Sequence, residues 1–200
     1  MMIKEMRVIL FAAAVILAVV SVANAQVVVV DFDDLDYKTT LSGTTYAGLT
    51  WEWGNLGYEY NQGYWKVPSD LPASYPYSEP HNVINAWGAT LMGISFPETV
   101  NVQGAYFAAQ GDTSSWTTGV RIHGYLSGAE VEVTNWFNDI DETPSWFAMN
   151  LENVDRIVVE SVAVDNGGGW YAMDDFTYVP EPATFLLLSL GGLLLRRRRA

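Results

Sequence analysis

The sequence predicts an all-β domain, a jelly-roll-like two-sheet β-sandwich, between an N-terminal signal helix and a short C-terminal membrane helix. Short apolar and aromatic stretches recur between clusters of Gly, Asn, Ser and Pro, which is typical of strands and turns. Polar and apolar residues alternate along Arg121–Tyr125 and Val131–Thr134, and no window between the terminal segments shows a helical period. Roughly ten short strands in a segment of this length favour a sandwich of two packed sheets.

Ten strands are predicted, each bounded by turn residues. They cover residues 27–32, 49–53, 82–87, 90–96, 102–109, 119–126, 129–137, 145–151, 156–164 and 170–179. Ser127-Gly128 predicts a tight turn between two neighbouring strands, and residues 166–169 predict another turn. The domain that these strands build is predicted to span residues 26–178.

The N-terminus has the three parts of a signal peptide. A basic start precedes an unbroken apolar run of 13 residues, Val8–Val20. The small residues Ala23 and Ala25 then stand at the −3 and −1 positions before Gln26. We therefore expect signal peptidase to remove residues 1–25. A retained membrane anchor is the alternative, but the apolar run is short for a membrane span.

The C-terminus, residues 179–200, carries an extended motif, an apolar run and a basic cluster. The motif is Val179, Pro180, Glu181 and Pro182, and the cluster is Arg196, Arg197, Arg198 and Arg199. The two prolines disfavour helix and hold the chain extended, the shape that a protease cleft binds. The run Ala183–Leu195 is about 20 Å long as a helix, against a hydrocarbon core of roughly 30 Å. The arginines are expected to place the tail in the cytoplasm.

These three parts, in this order, resemble the sorting signal of PEP-CTERM proteins, although the helix is short even for such a tag. The resemblance covers roughly a tenth of the chain. It implies recognition by an exosortase, a membrane cysteine protease, and a link to exopolysaccharide and biofilm production in Gram-negative bacteria. It implies an exported protein, transiently anchored by the C-terminal helix and then placed at the cell surface or in the extracellular matrix. An ordinary tail anchor that carries Pro-Glu-Pro is the alternative.

The charge of the central domain excludes one class of partner. Between the terminal segments there are four basic residues against 21 acidic ones, a net charge of −17. Such a surface repels phosphates, so nucleic acid is not an expected partner. The chain has no cysteine, so the core, and a metal if one binds, must stabilise the exported domain without disulfides.

The stretch Gly54–Pro80 does not show a strand pattern and is rich in aromatic residues. Loops of this length often carry function, and aromatic rings suit the C–H face of a sugar. The candidate glycan-binding residues are Tyr58, Tyr60, Tyr64 and Trp65. The alternative is that these rings cap the open end of the core, and the sequence leaves both possibilities open.

Acidic residues at the two ends of the domain suggest a structural Ca²⁺ ion. The stretches Asp31–Leu35 and Met173–Phe176 loosely resemble the domain ends of PEP-CTERM ectodomains and of jelly-roll carbohydrate-binding modules. First and last strands often lie side by side in jelly rolls, which would bring carboxylates together. The candidate ligands are Asp31, Asp33, Asp174 and Asp175. Alternatively, Asp31 caps a turn and Asp175 faces solvent.

Nothing in the sequence matches a catalytic motif, so we expect no enzyme. His81 and His123 are expected to be hydrogen-bonded structural residues, and Glu130 and Glu132 to share one strand face as solvated surface. The favoured function is an exported matrix or cell-surface protein with a weak glycan-binding face. The alternatives are a jelly-roll glycoside hydrolase or lyase, which needs two facing carboxylates, and a purely structural adhesive protein.

Processing of the tag is directly testable. We expect mass spectrometry of the exported protein, from a host with an exosortase, to show a C-terminus near Val179 and an N-terminus at Gln26. The physical reason is the extended Pro-Glu-Pro motif followed by a short helix and arginines. Recovery of mature protein that still carries Arg196–Arg199 would contradict the predicted sorting signal.

Overall fold

The computed structural model describes residues 26–68, 76–78, 80–110, 116–164 and 168–181. Within them, Val27–Pro180 forms one compact unit. No helix in these ranges is long and apolar enough to cross a membrane. The predicted signal peptide, Pro182, the C-terminal helix and the arginine cluster lie outside these residues.

Ten strands and one short 3₁₀ turn make up the described secondary structure. The strands are β1 (Val28–Val30), β2 (Thr44–Tyr46), β3 (Leu49–Trp51), β4 (Tyr64–Lys66), β5 (Val83–Ala86), β6 (Leu91–Ala108), β7 (Val120–Leu126), β8 (Ala129–Val133), β9 (Ser145–Ser161) and β10 (Ala172–Pro180). The 3₁₀ turn covers Tyr58–Tyr60. The prediction of an all-β sandwich is confirmed.

The long strands β6 and β9 run through both layers of the sandwich. The first part of β6 pairs with the last part of β9, and the remainder of β6 pairs with the first part of β9. Register shifts between Ser95 and Gly104 interrupt this ladder, and such irregularities let a strand pair bend. One layer adds β10, β5 and β4, with β1 beside β10, whereas the other adds β3, β2, β7 and β8. The two layers of the sandwich are thus connected, because hydrogen bonding through β6 and β9 joins all ten strands.

Aromatic side chains fill the core between the layers. Trp51, Trp65, Phe107 and Tyr171 are all fully buried. Trp65 packs edge-on against Trp51 at 5.5 Å and against Tyr171 at 6.1 Å, and Tyr171 lies 5.7 Å from Phe107, all between ring centroids. Since each ring buries a large apolar area, this chain of contacts supplies much of the stability of a domain without disulfides.

The predicted strands agree with the observed ones to within a few residues at their ends, except in continuity and in two omissions. The largest difference at an end is in β8, which stops at Val133 rather than at Phe137. The strands predicted at 90–96 and 102–109 form the single strand β6, and those at 145–151 and 156–164 form β9. The short strands β2 and β4 were not predicted. The tight turn is confirmed, because Ser127 and Gly128 have φ of 51° and 82°, as a two-residue hairpin turn requires.

The last strand includes the start of the Pro-Glu-Pro motif. Val179 and Pro180 pair with Asn101 and Val100 of β6, so the predicted extended conformation is confirmed for these two residues. Strand β10 and the compact unit both extend to Pro180. Proline is tolerated at this terminal position of the strand, where few ladder hydrogen bonds remain to be made.

Candidate functional site

The outer face of the second layer carries a regular grid of side chains. Because side chains alternate along a strand, every second residue of β6, β9 and β7 points away from the core. Cross-strand pairing places these residues in three rows, which are Ser95–Arg156–Tyr125, Gly93–Val158–His123 and Leu91–Glu160–Arg121. Their inward neighbours, such as Ile94, Ile157 and Ile122, are fully buried.

Small side chains at the centre of this grid and larger ones around them create a groove of about 550 Å³. Gly93 and Val158 form the floor, while charged and aromatic side chains line the sides. A Cβ atom at Gly93 would overlap the Glu52 carboxylate and approach the Arg156 guanidinium, so a larger residue there would displace this ion pair. The groove is thus a direct result of which residues the strand register brings together.

A two-pronged ion pair occupies one side of the groove. Arg156 donates from Nε to Oε1 of Glu52 at 2.8 Å and from Nη2 to Oε2 at 2.7 Å. The Ser95 hydroxyl donates to the same carboxylate at 2.6 Å. Partial burial pushes the pKa of Glu52 upward, but the hydrogen bonds from Arg156 and Ser95 outweigh it and lower the pKa. Glu52 is therefore held ionised and fixed in position.

A second charged cluster occupies the other side. The carboxylate of Glu160 accepts a hydrogen bond from Nε of Arg121 at 2.5 Å and contacts Nε2 of His123 at 2.6 Å. The other ring nitrogen of His123, Nδ1, lies 2.8 Å from Oε2 of Glu130. The hydrogen bond from Arg121 lowers the pKa of Glu160 despite partial burial. A carboxylate only accepts hydrogen bonds, so both contacts of the imidazole are favourable when both nitrogens carry a proton.

Two aromatic side chains complete the groove. Trp53 follows β3, is 54% exposed and lines the groove beside Glu52. Its ring lies 5.9 Å from that of Tyr64, between centroids. Tyr125 lies on β7, where the Arg156 guanidinium is 5.0 Å from its ring centroid. The groove therefore combines an exposed apolar platform with ordered hydrogen-bond donors and acceptors.

The four predicted glycan-binding residues of the aromatic loop do not share one site: one is buried in the core, one contacts the groove and two lie elsewhere. Trp65 is fully buried in the core and donates its indole N–H to the Gly93 carbonyl, so its assignment as a ligand-contacting residue is wrong. Tyr64, its neighbour on β4, points to the other side and reaches Trp53 of the groove. Tyr58 packs against Trp170, and Tyr60 is 87% exposed. A Trp65→Ala change would cost about 3–5 kcal/mol of stability, as for other buried tryptophans.

The acidic ends of the domain do lie close together. Strand β1 pairs with β10, which confirms that the first and last strands run side by side. Burial raises the pKa of Asp175, and the charges of Asp31 and Asp33 raise it further. However, Asp31 accepts the backbone N–H of Asp33, and Asp33 accepts that of His81, so both carboxylates already hold the backbone. The described part of the chain contains no group of three or more acidic, His or Cys side chains placed to hold a metal. Calcium binding stays a prediction.

Asp174 is the one of these four acids that is nearly fully buried. Its Oδ2 atom accepts the backbone N–H groups of Tyr77 and Ser78, both at 2.9 Å, and its Oδ1 accepts the N–H of Asp175 at 2.8 Å. Burial raises the pKa of Asp174 to about 7, against the opposing effect of these hydrogen bonds. Asp174 thereby fastens the segment 76–78 to the last strand.

Sequence reasoning missed most of the groove. Five residues that line the groove were not predicted as site residues, namely Glu52, Trp53, Arg121, Arg156 and Glu160. His123 is hydrogen-bonded as predicted, but its partners Glu130 and Glu160 place it in the groove, which the sequence did not predict. A usable signal was present, because two of the four basic residues of the domain stand at outward positions of predicted strands.

His81, in contrast, differs from its prediction. Both ring nitrogens of His81 are buried without a hydrogen-bond partner in the described structure. The ring instead packs edge-on against Tyr37, with centroids 4.5 Å apart. His81 therefore takes part in packing, and its only described hydrogen bond is made by its backbone.

Comparisons with known proteins give no family for this chain. No family model and no curated protein matches it. Among solved structures, it is similar to a Clostridium perfringens ZmpB fragment with CBM51-2 and INT domains in complex with GlcNAc, at 11% identity and a TM-score of 0.37, covering 76% of this chain and 32% of that one. A family 89 glycoside hydrolase from the same organism, in complex with 2-acetamido-1,2-dideoxynojirmycin, matches at 9% identity and a TM-score of 0.40, covering 73% and 15%.

A third similar structure is much nearer in length. It is CBM51 from Clostridium perfringens GH95 in complex with methyl-galactose, at 12% identity and a TM-score of 0.33, covering 76% of this chain and 99% of that one. The chain spans a third or less of the first two structures.

The buried Asp174 predicts a specific pH dependence of stability. Its pKa is raised in the folded state, so between about pH 4 and pH 7 the folded protein holds a proton that the unfolded chain has lost. The stabilisation by this group is therefore present at low pH and is lost as the pH rises toward 7, by on the order of 4 kcal/mol. We therefore expect the unfolding free energy of the wild type, minus that of Asp174→Asn, to fall by about 4 kcal/mol between pH 4 and pH 7.

The measurement is denaturant unfolding of both proteins at pH 4, 5, 6 and 7, in chelator. A constant difference between wild type and variant would contradict the role of Asp174. Repeating the series with added Ca²⁺ tests the predicted ion, which should raise the stability of the wild type at pH 7. Equal midpoints with Ca²⁺ and with chelator would remove calcium from the account.

Proposed function

We propose that the domain is a non-catalytic glycan-binding module of jelly-roll type in an exported protein. The observation that carries this proposal is the groove, where the half-exposed Trp53 stands beside two fixed clusters of charged side chains. An exposed tryptophan offers a flat apolar face on which a pyranose ring can stack. Concave sites with an apolar wall and a few ordered polar groups are typical of small-molecule binding.

The polar groups of the groove are ordered before any ligand arrives. Glu52 is held by Arg156 and Ser95, and Glu160 by Arg121 and His123. Because these side chains are already immobilised, a ligand that binds them loses less free energy in ordering the site. Preorganisation of this kind supports recognition of a weakly binding ligand such as a sugar.

The same ion pairs disfavour glycoside hydrolysis at this groove. A hydrolase needs one carboxylic acid with a raised pKa to protonate the leaving oxygen. The pKa values of Glu52 and Glu160 are instead lowered by their arginine partners. Carboxylates held ionised suit hydrogen-bond acceptance better than proton donation. The groove itself argues against the purely structural alternative, because a protein without a ligand needs no concave face lined by ordered polar groups.

The place of action that we propose follows from the chain ends. Signal peptidase would release the N-terminus at Gln26, and an exosortase would process the tag at the Pro-Glu-Pro motif. The protein would then reside at the cell surface or in the extracellular matrix, in contact with exopolysaccharide. The extended conformation at Val179 and Pro180 supports access of a protease to this segment once the end of β10 separates from β6.

Replacing Trp53 by alanine tests the proposed site. We expect retention of the full chain by a polysaccharide that binds the wild type to fall about tenfold or more in affinity electrophoresis, because the stacking face is lost. The melting temperature should change little, since Trp53 is largely exposed.

Trp146→Ala is the matched control. This tryptophan is 40% exposed but does not line the groove, so its removal should leave retention unchanged. Equal loss of retention in both variants, or full retention of Trp53→Ala, would contradict the proposed site.

A further inference from the structure

We infer that the groove selects uncharged glycans and rejects acidic ones, an inference that rests on the proposed function. It starts from the ionisable groups that line the groove, which are three carboxylates, two guanidinium groups and one imidazole. Each guanidinium contacts one carboxylate, and the imidazole of His123 lies between the carboxylates of Glu130 and Glu160 and contacts both. The groove is therefore close to electrically balanced within a domain that carries a net charge of −17.

Balanced pairs match the chemistry of a hydroxyl group. A hydroxyl donates one hydrogen bond and accepts others, so it satisfies a carboxylate and a guanidinium at the same time. Arg156 and Glu160 both lie on β9, while Glu52 follows β3 and Arg121 lies on β7. Each of the pairs Glu52–Arg156 and Glu160–Arg121 offers an acceptor beside a donor. The terminal nitrogens of Arg121 have no partner among the described hydrogen bonds and remain able to donate to a ligand. Adjacent hydroxyls of a neutral sugar can use both halves of such a pair.

An acidic sugar meets two obstacles that a neutral one does not. Its carboxylate would have to replace Glu52 on Arg156, which means breaking two charge-assisted hydrogen bonds and leaving the Glu52 charge without its partner. At Arg121, a carboxylate on the free terminal nitrogens would share the guanidinium with the Glu160 carboxylate, and the two negative charges would repel each other. In addition, the strongly acidic domain repels a polyanion over a distance of about a Debye length, roughly 8–10 Å at ordinary salt. Both obstacles act against uronic acid polymers and leave neutral ones unaffected.

Binding to neutral polymers and to their acidic counterparts tests this selectivity. Affinity electrophoresis of the full chain compares three neutral and acidic pairs with the same sugar configuration, namely glucan with glucuronan, galactan with galacturonan, and mannan with mannuronan. We expect the protein to be retained by at least one neutral polymer and at least tenfold less by its acidic partner. The preference should persist at raised salt, because the pairing within the groove is local while the long-range repulsion is screened.

The variant Glu52→Gln changes the charge balance with little change in shape. It removes the partner charge of Arg156, so we expect the preference for the neutral polymer over its acidic partner to fall about tenfold. Glu160→Gln should act in the same direction through Arg121. Glu132→Gln is the control, since Glu132 is exposed on β8 and does not line the groove. Thermal melts establish that each variant is folded, and the comparison of wild-type polymers stands without any variant.

The outcomes separate the two proposals. Binding to an acidic polymer as tightly as to its neutral partner would overturn the inference and leave the proposed glycan-binding function in place. Retention by none of the six polymers would overturn the proposed function itself. An unchanged preference in both folded glutamine variants would overturn the role of the ion pairs in selection.

Discussion

The pairing of β6 with β9 is the constraint on which the rest of the structure depends. These two strands extend through both layers, and the other strands join them directly or through one or two neighbours. Their register fixes which side chains enter the core, because a shift by one residue would exchange the inner and outer faces. Met92 and Ile94 are thereby buried, while Gly93 and Ser95 face outward. The aromatic core holds this register from the inside, since Trp65 donates its indole N–H to the Gly93 carbonyl.

The groove is the outer consequence of the same register. Gly93 opposite Val158 leaves a low centre, and their neighbours in the adjacent rows supply the charged sides. Gly93 contacts both the core and the groove. Its carbonyl accepts the indole N–H of the buried Trp65, and its lack of a side chain leaves room for the Glu52–Arg156 pair. Site and core are therefore coupled through one strand, and the segment that follows β3 adds Glu52 and Trp53 to the ligand-binding face that we propose.

The sequence predicted the local part of this arrangement and not the long-range part. Alternation along Arg121–Tyr125 predicted β7, and the Ser127-Gly128 turn followed from turn chemistry, because both depend on neighbouring residues. The strands β2 and β4 have three residues each, too few to show a period. Trp65 was assigned to a ligand because only the register of β4 distinguishes its inward side from that of Tyr64. The Glu52–Arg156 pair joins residues 104 positions apart, so no local pattern could show it.

The most direct measurement of the central claim is an amide NMR titration of the labelled protein with a neutral oligosaccharide. If the outer face of β6, β9 and β7 binds glycans, the largest shift changes will occur at the amides of Gly93, Val158 and His123 and at the indole N–H of Trp53. Changes confined to the Tyr58–Tyr60 turn or to the acidic domain ends, with the groove signals unmoved, would contradict the claim.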